Sequence, residues 1–183
     1  MVYKGRSVRQ NETTTMTTRR DLVVGLAIAP TIPLLARSAF AEENGATPSD
    51  DFQASRLVYI TPIKSNGEES RCKAEIWFSH HDGDVFVVTP PETWRAKAVE
   101  KGLTRARVWV GDFGVWTQSD GAFRKAPEFM ATASIETGAD VHAQVLSAMG
   151  EKYAESGWAQ WGQRFKDGLV DGSRVMIRYA LDN

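Results

Sequence analysis

The sequence predicts a mainly β protein of the α+β class, a small closed barrel of six or seven antiparallel strands with two or three short helices. Three observations carry this reading. Segments that alternate apolar and polar residues recur along the chain, separated by turn-forming pairs such as Asn66-Gly67 and Asp82-Gly83. A short helical pattern is inserted after the third such segment, which favours closure into a barrel. The chain contains no internal repeat and no low-complexity tract.

The elements follow in order. Residues 56–61 (Arg-Leu-Val-Tyr-Ile-Thr) are rich in β-branched and aromatic side chains and read as a first strand. After the turn at 65–68, residues 71–79 alternate, with Cys72, Ala74, Ile76 and Phe78 on one face and Arg71, Lys73, Glu75 and Trp77 on the other. Asp82-Gly83 then closes a hairpin whose return strand is 84–89. Thr89-Pro90-Pro91-Glu92 reads as a helix start, with Thr89 as cap and Pro90 in the first position, and the helix stops at Gly102. Residues 104–111 alternate as a strand, a short strand is expected near 115–117, and another runs over 129–136. A second helix begins at Thr137-Gly138-Ala139-Asp140, with Val141, Val145, Ala148, Met149 and Tyr153 at helical spacing. Residues 158–165 read as helical or turn-like, and 173–181 as the last strand.

The N-terminal 41 residues differ in character. Thr18-Arg19-Arg20-Asp21-Leu22-Val23 precedes an apolar stretch over 22–36 and the small-residue end Ser38-Ala39-Phe40-Ala41. This pattern resembles a twin-arginine export signal, which implies a periplasmic or exported protein that meets the twin-arginine translocase already folded. At 15 residues with two prolines the apolar stretch is too short for a permanent membrane anchor, which needs about 20. Residues 42–54 are polar and read as a flexible lead-in, leaving 55–183 as one barrel domain. The leader holds six of the 22 Lys/Arg and two of the 23 Asp/Glu, so the remainder carries 16 basic and 21 acidic side chains, a net charge of −5. Bulk electrostatics therefore exclude a nucleic-acid binder. Cys72 is the only cysteine and there are three histidines, so neither an internal disulfide nor a metal site is expected.

The order of hairpin, strand ending in Thr89, short helix with Trp94-Arg95-x-Lys97, and then Arg105-Ala-Arg-Val-Trp-Val resembles the FMN-binding split β-barrel group. This is the pyridoxamine 5′-phosphate oxidase-like superfamily, which includes deazaflavin-dependent reductases. The likeness spans residues 56–112. It implies a flavin-dependent oxidoreductase with FMN as cofactor, or alternatively a non-catalytic binder of flavin, deazaflavin or haem. Carried over residue by residue, it implies cofactor contacts from Arg71, Lys73, Thr89, Trp94, Arg95 and Lys97. It also implies a homodimer, with the faces of Trp77 and Trp109 as candidates for burial between copies.

The residues themselves leave a plainer reading open. Thr89 serves equally as a helix cap, Arg95 and Lys97 as a solvated helix face, and Arg71 and Lys73 as outward strand residues. Pro90 and Pro91 lack N–H groups, which removes two backbone donors for a phosphate. His80 and His81 are adjacent on a strand end and point to opposite faces, so they do not chelate one metal. No nucleophile–base arrangement and no paired catalytic carboxylates are recognisable, so no catalytic side chain is assigned. In a flavin enzyme the ring system carries the redox chemistry and the protein orients it.

Overall fold

The computed structural model describes residues 48–182. The twin-arginine motif, the apolar stretch and the first part of the lead-in lie outside the described residues.

Seven strands form one antiparallel sheet: β1 (Val58–Pro62), β2 (Ala74–Ile76), β3 (Ser79–His81), β4 (Asp84–Thr89), β5 (Arg105–Val110), β6 (Glu128–Glu136) and β7 (Val175–Leu181). Their order in the sheet is β2-β1-β5-β6-β7-β4-β3. The two edge strands, β2 and β3, are separated in sequence only by Trp77 and Phe78. A chain that steps from one edge of a sheet to the other in two residues forces that sheet to curl until its edges meet. The expected single strand over 71–79 is thus two strands on opposite edges, and the barrel seam runs through Trp77-Phe78.

The seam interrupts the backbone ladder, and one side chain repairs it. The buried Tyr153 hydroxyl accepts from Phe78 N (2.9 Å) and shares its proton between the carbonyls of Arg56 (3.0 Å) and Phe78 (3.1 Å). Burial pushes that phenol's pKa well up, so it stays a neutral donor. Its ring stacks on Trp77 at 4.5 Å and 7°.

The inward faces of the strands supply the barrel core, including Val58, Ile60, Phe78, Val85, Val108 and Ile177. On the outer face of β4 and β7, Phe86, Val88 and Met176 pack against two helices, α3 (Ala139–Lys152) and α4 (Trp158–Asp171). Each is 14 residues long. A third cluster, Tyr59, Trp109 and Phe123, lies on the outer face of β1 and β5. Trp109 is fully buried there within one copy of the chain, which removes it as a dimer-interface face.

Three further expectations change. The described part of the lead-in is a helix, α1 (Pro48–Ala54), with Asp50 and Asp51 in its first turn. Seven residues do not hold a helix unaided. Phe52, 1% exposed, anchors it by stacking on His80 (4.3 Å, 13°) and packing at a tilt against Phe129 (5.1 Å, 34°). The helix expected with Thr89 as cap begins four residues later, as α2 (Trp94–Glu100) with Thr93 at its N-cap. Thr89 is instead the last rung of β4, opposite Val175. Pro91 keeps Pro90 out of helical dihedrals, so a turn with Thr93 N donating to Pro90 O (3.2 Å) intervenes. Residues 115–117 form no strand, because left-handed residues at Gly114, Asp120 and Gly121 break the extended run into turns. The hairpin at Asp82-Gly83 forms as expected, with φ of 51° and 83° and His81 opposite Asp84.

Candidate functional site

A cleft of about 480 Å³ opens where the seam, the end of β4, α4 and the start of β7 converge. That volume lies within the ~300–1,000 Å³ typical of small-molecule sites. Its aromatic wall comes from Trp77, held by Tyr153, and from Trp161 and Phe165 on α4, whose rings lie 6.2 Å apart. Its polar lining is Glu75, Thr89, Arg95 and Arg174.

Both guanidiniums are positioned by neutral partners. Arg95 Nη1 donates to Thr89 Oγ1 at 2.5 Å. Thr93 Oγ1 gives its proton to Pro90 O (2.9 Å), so the 3.1 Å contact between the two threonine hydroxyls has Thr89 as donor. The single Thr89 proton is therefore spent inside the turn, and the fully buried Thr89 acts as an acceptor that aims Arg95. Thr89 thus ends a strand and does not cap a helix, and its hydroxyl proton is donated within the turn. Arg174 N donates to Gly168 O (2.8 Å), and its guanidinium lies over the Phe165 ring, 5.7 Å from the centroid. A Cβ on Gly168 would collide with Arg174 Cγ, so the glycine makes room for that side chain. Among the described residues neither Arg95 nor Arg174 has a carboxylate within ion-pair distance.

Of the six residues expected at a cofactor, the structure brings Thr89 and Arg95 together in this cleft. Lys73 lies elsewhere, bonded to Ser70 O (3.0 Å) and paired with Glu69 (3.3 Å). Glu69 also holds Arg124 (2.6 Å) and Arg107 (3.2 Å). The Arg124 hydrogen bond, aided by the Arg124 and Lys73 charges, keeps the Glu69 carboxyl below its ordinary range despite partial burial. Arg71 sits on an exposed bend. Trp94 is 37% exposed beneath Lys101, and Lys97 is exposed on α2. Contacts from Arg71, Lys73, Trp94 and Lys97 thus do not converge on the cleft within one copy of the chain. Sequence reasoning missed Arg174, Trp161 and Glu75. The Trp161/Phe165 pair, four residues apart on one helix face, was the available signal.

The adjacent histidines diverge as expected. His80 stacks on Phe52, while His81 Nε2 approaches Gln144 Oε1 (3.2 Å) and Asp82 (3.4 Å).

No family model matches the sequence, and no curated protein matches it. Solved structures do share its fold. The conserved hypothetical protein Rv2991 of Mycobacterium tuberculosis superposes with a TM-score of 0.50 at 16% identity, over 73% of this chain and 78% of its own. HutZ, the haem storage protein of Vibrio cholerae, gives 0.50 at 16% identity, over 74% and 87%. ChuZ of Campylobacter jejuni gives 0.50 at 9% identity, over 73% and 51%. At these identities the likeness concerns architecture alone. The chain shares the antiparallel split-barrel fold of these structures, closed at Trp77-Phe78.

Proposed function

We propose that the cleft binds FMN and that the protein is a flavin-dependent oxidoreductase, exported through the twin-arginine pathway and acting as a homodimer in the periplasm. The observation that carries the reading is the pair of guanidiniums, Arg95 and Arg174, held beside three aromatic rings without carboxylate partners. A phosphorylated planar ring system matches that donor set. The guanidiniums offer charge-assisted hydrogen bonds to an anion, each worth about 1.5–3 kcal/mol, and Trp77 and Trp161 offer stacking surface. When bound, the flavin supplies the hydride chemistry, while the residues of the cleft orient it and exclude water. Thr89 positions Arg95 by accepting its hydrogen bond.

HutZ is a haem storage protein on the same fold, and a haem with its carboxylates presents a similar shape and charge. The described lining here holds no His, Cys, Met or Tyr to ligate iron, which favours the flavin. The absorbance spectrum of the protein purified from its folding compartment tests the choice. A flavin band in the visible blue is expected. A Soret band, or a colourless protein that takes up neither FMN nor deazaflavin, would overturn the reading.

A further inference from the structure

Tyr153 joins the two sources of the cleft's aromatic wall. It is the fully buried residue that caps the C-terminus of α3. Its ring stacks on Trp77, which lines the cleft and packs in one apolar cluster with Trp161 and Phe165. Its hydroxyl accepts from Phe78 N and donates toward the carbonyls of Arg56 and Phe78. Arg56 directly precedes Leu57, another residue of the lining. Its backbone carbonyl accepts from Ser156 N (2.8 Å) and from Trp158 N (3.3 Å), at the first residue of α4, the helix that carries Trp161 and Phe165.

Trp77 and Phe78 lie between β2 and β3 and belong to neither strand, so no ladder fixes the peptide that joins them. The Tyr153 hydroxyl holds that peptide at the Phe78 amide, and the Tyr153 ring holds the Trp77 indole. Opening the seam there breaks the contacts of one buried hydroxyl and releases the indole in the same step. Trp158 steadies the start of α4: an added Cβ on Gly150 of α3 would lie 3.0 Å from its Nε1.

We infer, resting on the flavin reading of the cleft, that Tyr153 is a positioning residue that couples ligand binding to closure of the barrel seam. The indole keeps its orientation only while the seam is closed, so a planar ring stacked on Trp77 stabilises the closed seam. Linkage makes the effect mutual, and the closed seam raises affinity by the same factor. Tyr153→Phe keeps the ring and the carbonyl and removes only the hydroxyl. The hydroxyl's influence on the ligand runs through Trp77, so it should disappear when Trp77 is absent.

A double-mutant cycle read by FMN titration tests this on the full chain. Trp77→Ala is expected to weaken FMN binding about tenfold and Tyr153→Phe about fivefold. The double variant should bind no more than about twofold more weakly than Trp77→Ala alone. Unchanged affinity in Tyr153→Phe, or losses that multiply, would overturn the inference and leave the flavin reading standing, because wild type still binds. A wild type that does not bind FMN overturns both. Amide hydrogen exchange on the wild type decides the matter even if a variant fails to fold. Saturating FMN should slow the Phe78 amide at least as much as the Val108 amide of β5. Slowing at Val108 with Phe78 unchanged would show a seam that opens without releasing the ligand, contrary to the inference.

Discussion

Two cationic regions of this barrel differ in one respect, the company their positive charges keep. Around Glu69, Lys73, Arg107 and Arg124 surround a carboxylate at 3.3, 3.2 and 2.6 Å, and Arg124 also covers the Trp109 ring at 5.1 Å. In the cleft, Arg95 and Arg174 are held by a hydroxyl and an aromatic face. The first group's cations are paired with carboxylates, Glu69 and, for Arg107, also Glu128 at 3.2 Å. The second group's charge remains available to an incoming anion. Counting basic residues near a strand end does not separate these cases, whereas the identity of each guanidinium's acceptor does.

The comparison breaks most visibly when the cleft loses its charge. Arg95→Ala combined with Arg174→Ala should weaken FMN binding about hundredfold or more in a fluorescence titration, with little change in Tm. An unchanged affinity would mean that these cations do not hold the ligand. Gly168→Ala should weaken FMN binding by about tenfold, because the added methyl displaces the Arg174 side chain; affinity equal to wild type would separate Arg174's position from binding.

The paired region should respond in stability and not in binding. Glu69→Gln removes the carboxylate shared by Lys73, Arg107 and Arg124, of which Arg107 keeps Glu128 at 3.2 Å, and should lower stability by about 1–2 kcal/mol in urea unfolding, a modest figure because Arg124 is half-exposed. FMN affinity should stay within about twofold. Since the folded Glu69 carboxyl lies below its ordinary value of 4.5, its contribution is full above that pH and is lost as pH falls through the lowered value. The wild type should therefore lose more stability than Glu69→Gln between about pH 5 and pH 3. Parallel curves would contradict the assignment. The smallest effect belongs to Lys97→Ala, on the exposed face of α2, which should alter neither affinity nor stability by more than about 0.5 kcal/mol.

Much of the fold was legible because it is written in short-range signals. The Asp82-Gly83 hairpin, the alternation in β5, β6 and β7, and the stop at Gly102 all act over a few residues. The seam was not legible. Residues 71–79 alternate without interruption, and only the pairing of their two halves with β1 and β4 shows that they lie on opposite edges. α1 escaped notice because a single aromatic, Phe52, in a polar segment creates no periodicity. In the cleft, Thr89 and Arg95 were reachable because six residues of one turn bring them together. Arg174 is 79 positions further along the chain from Arg95 and arrives only through the antiparallel pairing of β7 with β4.

The central claim is that Arg95 and Arg174 are reserved for the phosphate of a flavin. Comparing FMN with riboflavin, which has the same ring and no phosphate, tests it most directly by titration against wild type and the Arg95→Ala/Arg174→Ala variant. The account predicts that wild type prefers FMN by about tenfold to hundredfold and that the variant loses the preference. Equal affinity of wild type for the two ligands, or a preference that survives in the variant, would contradict it.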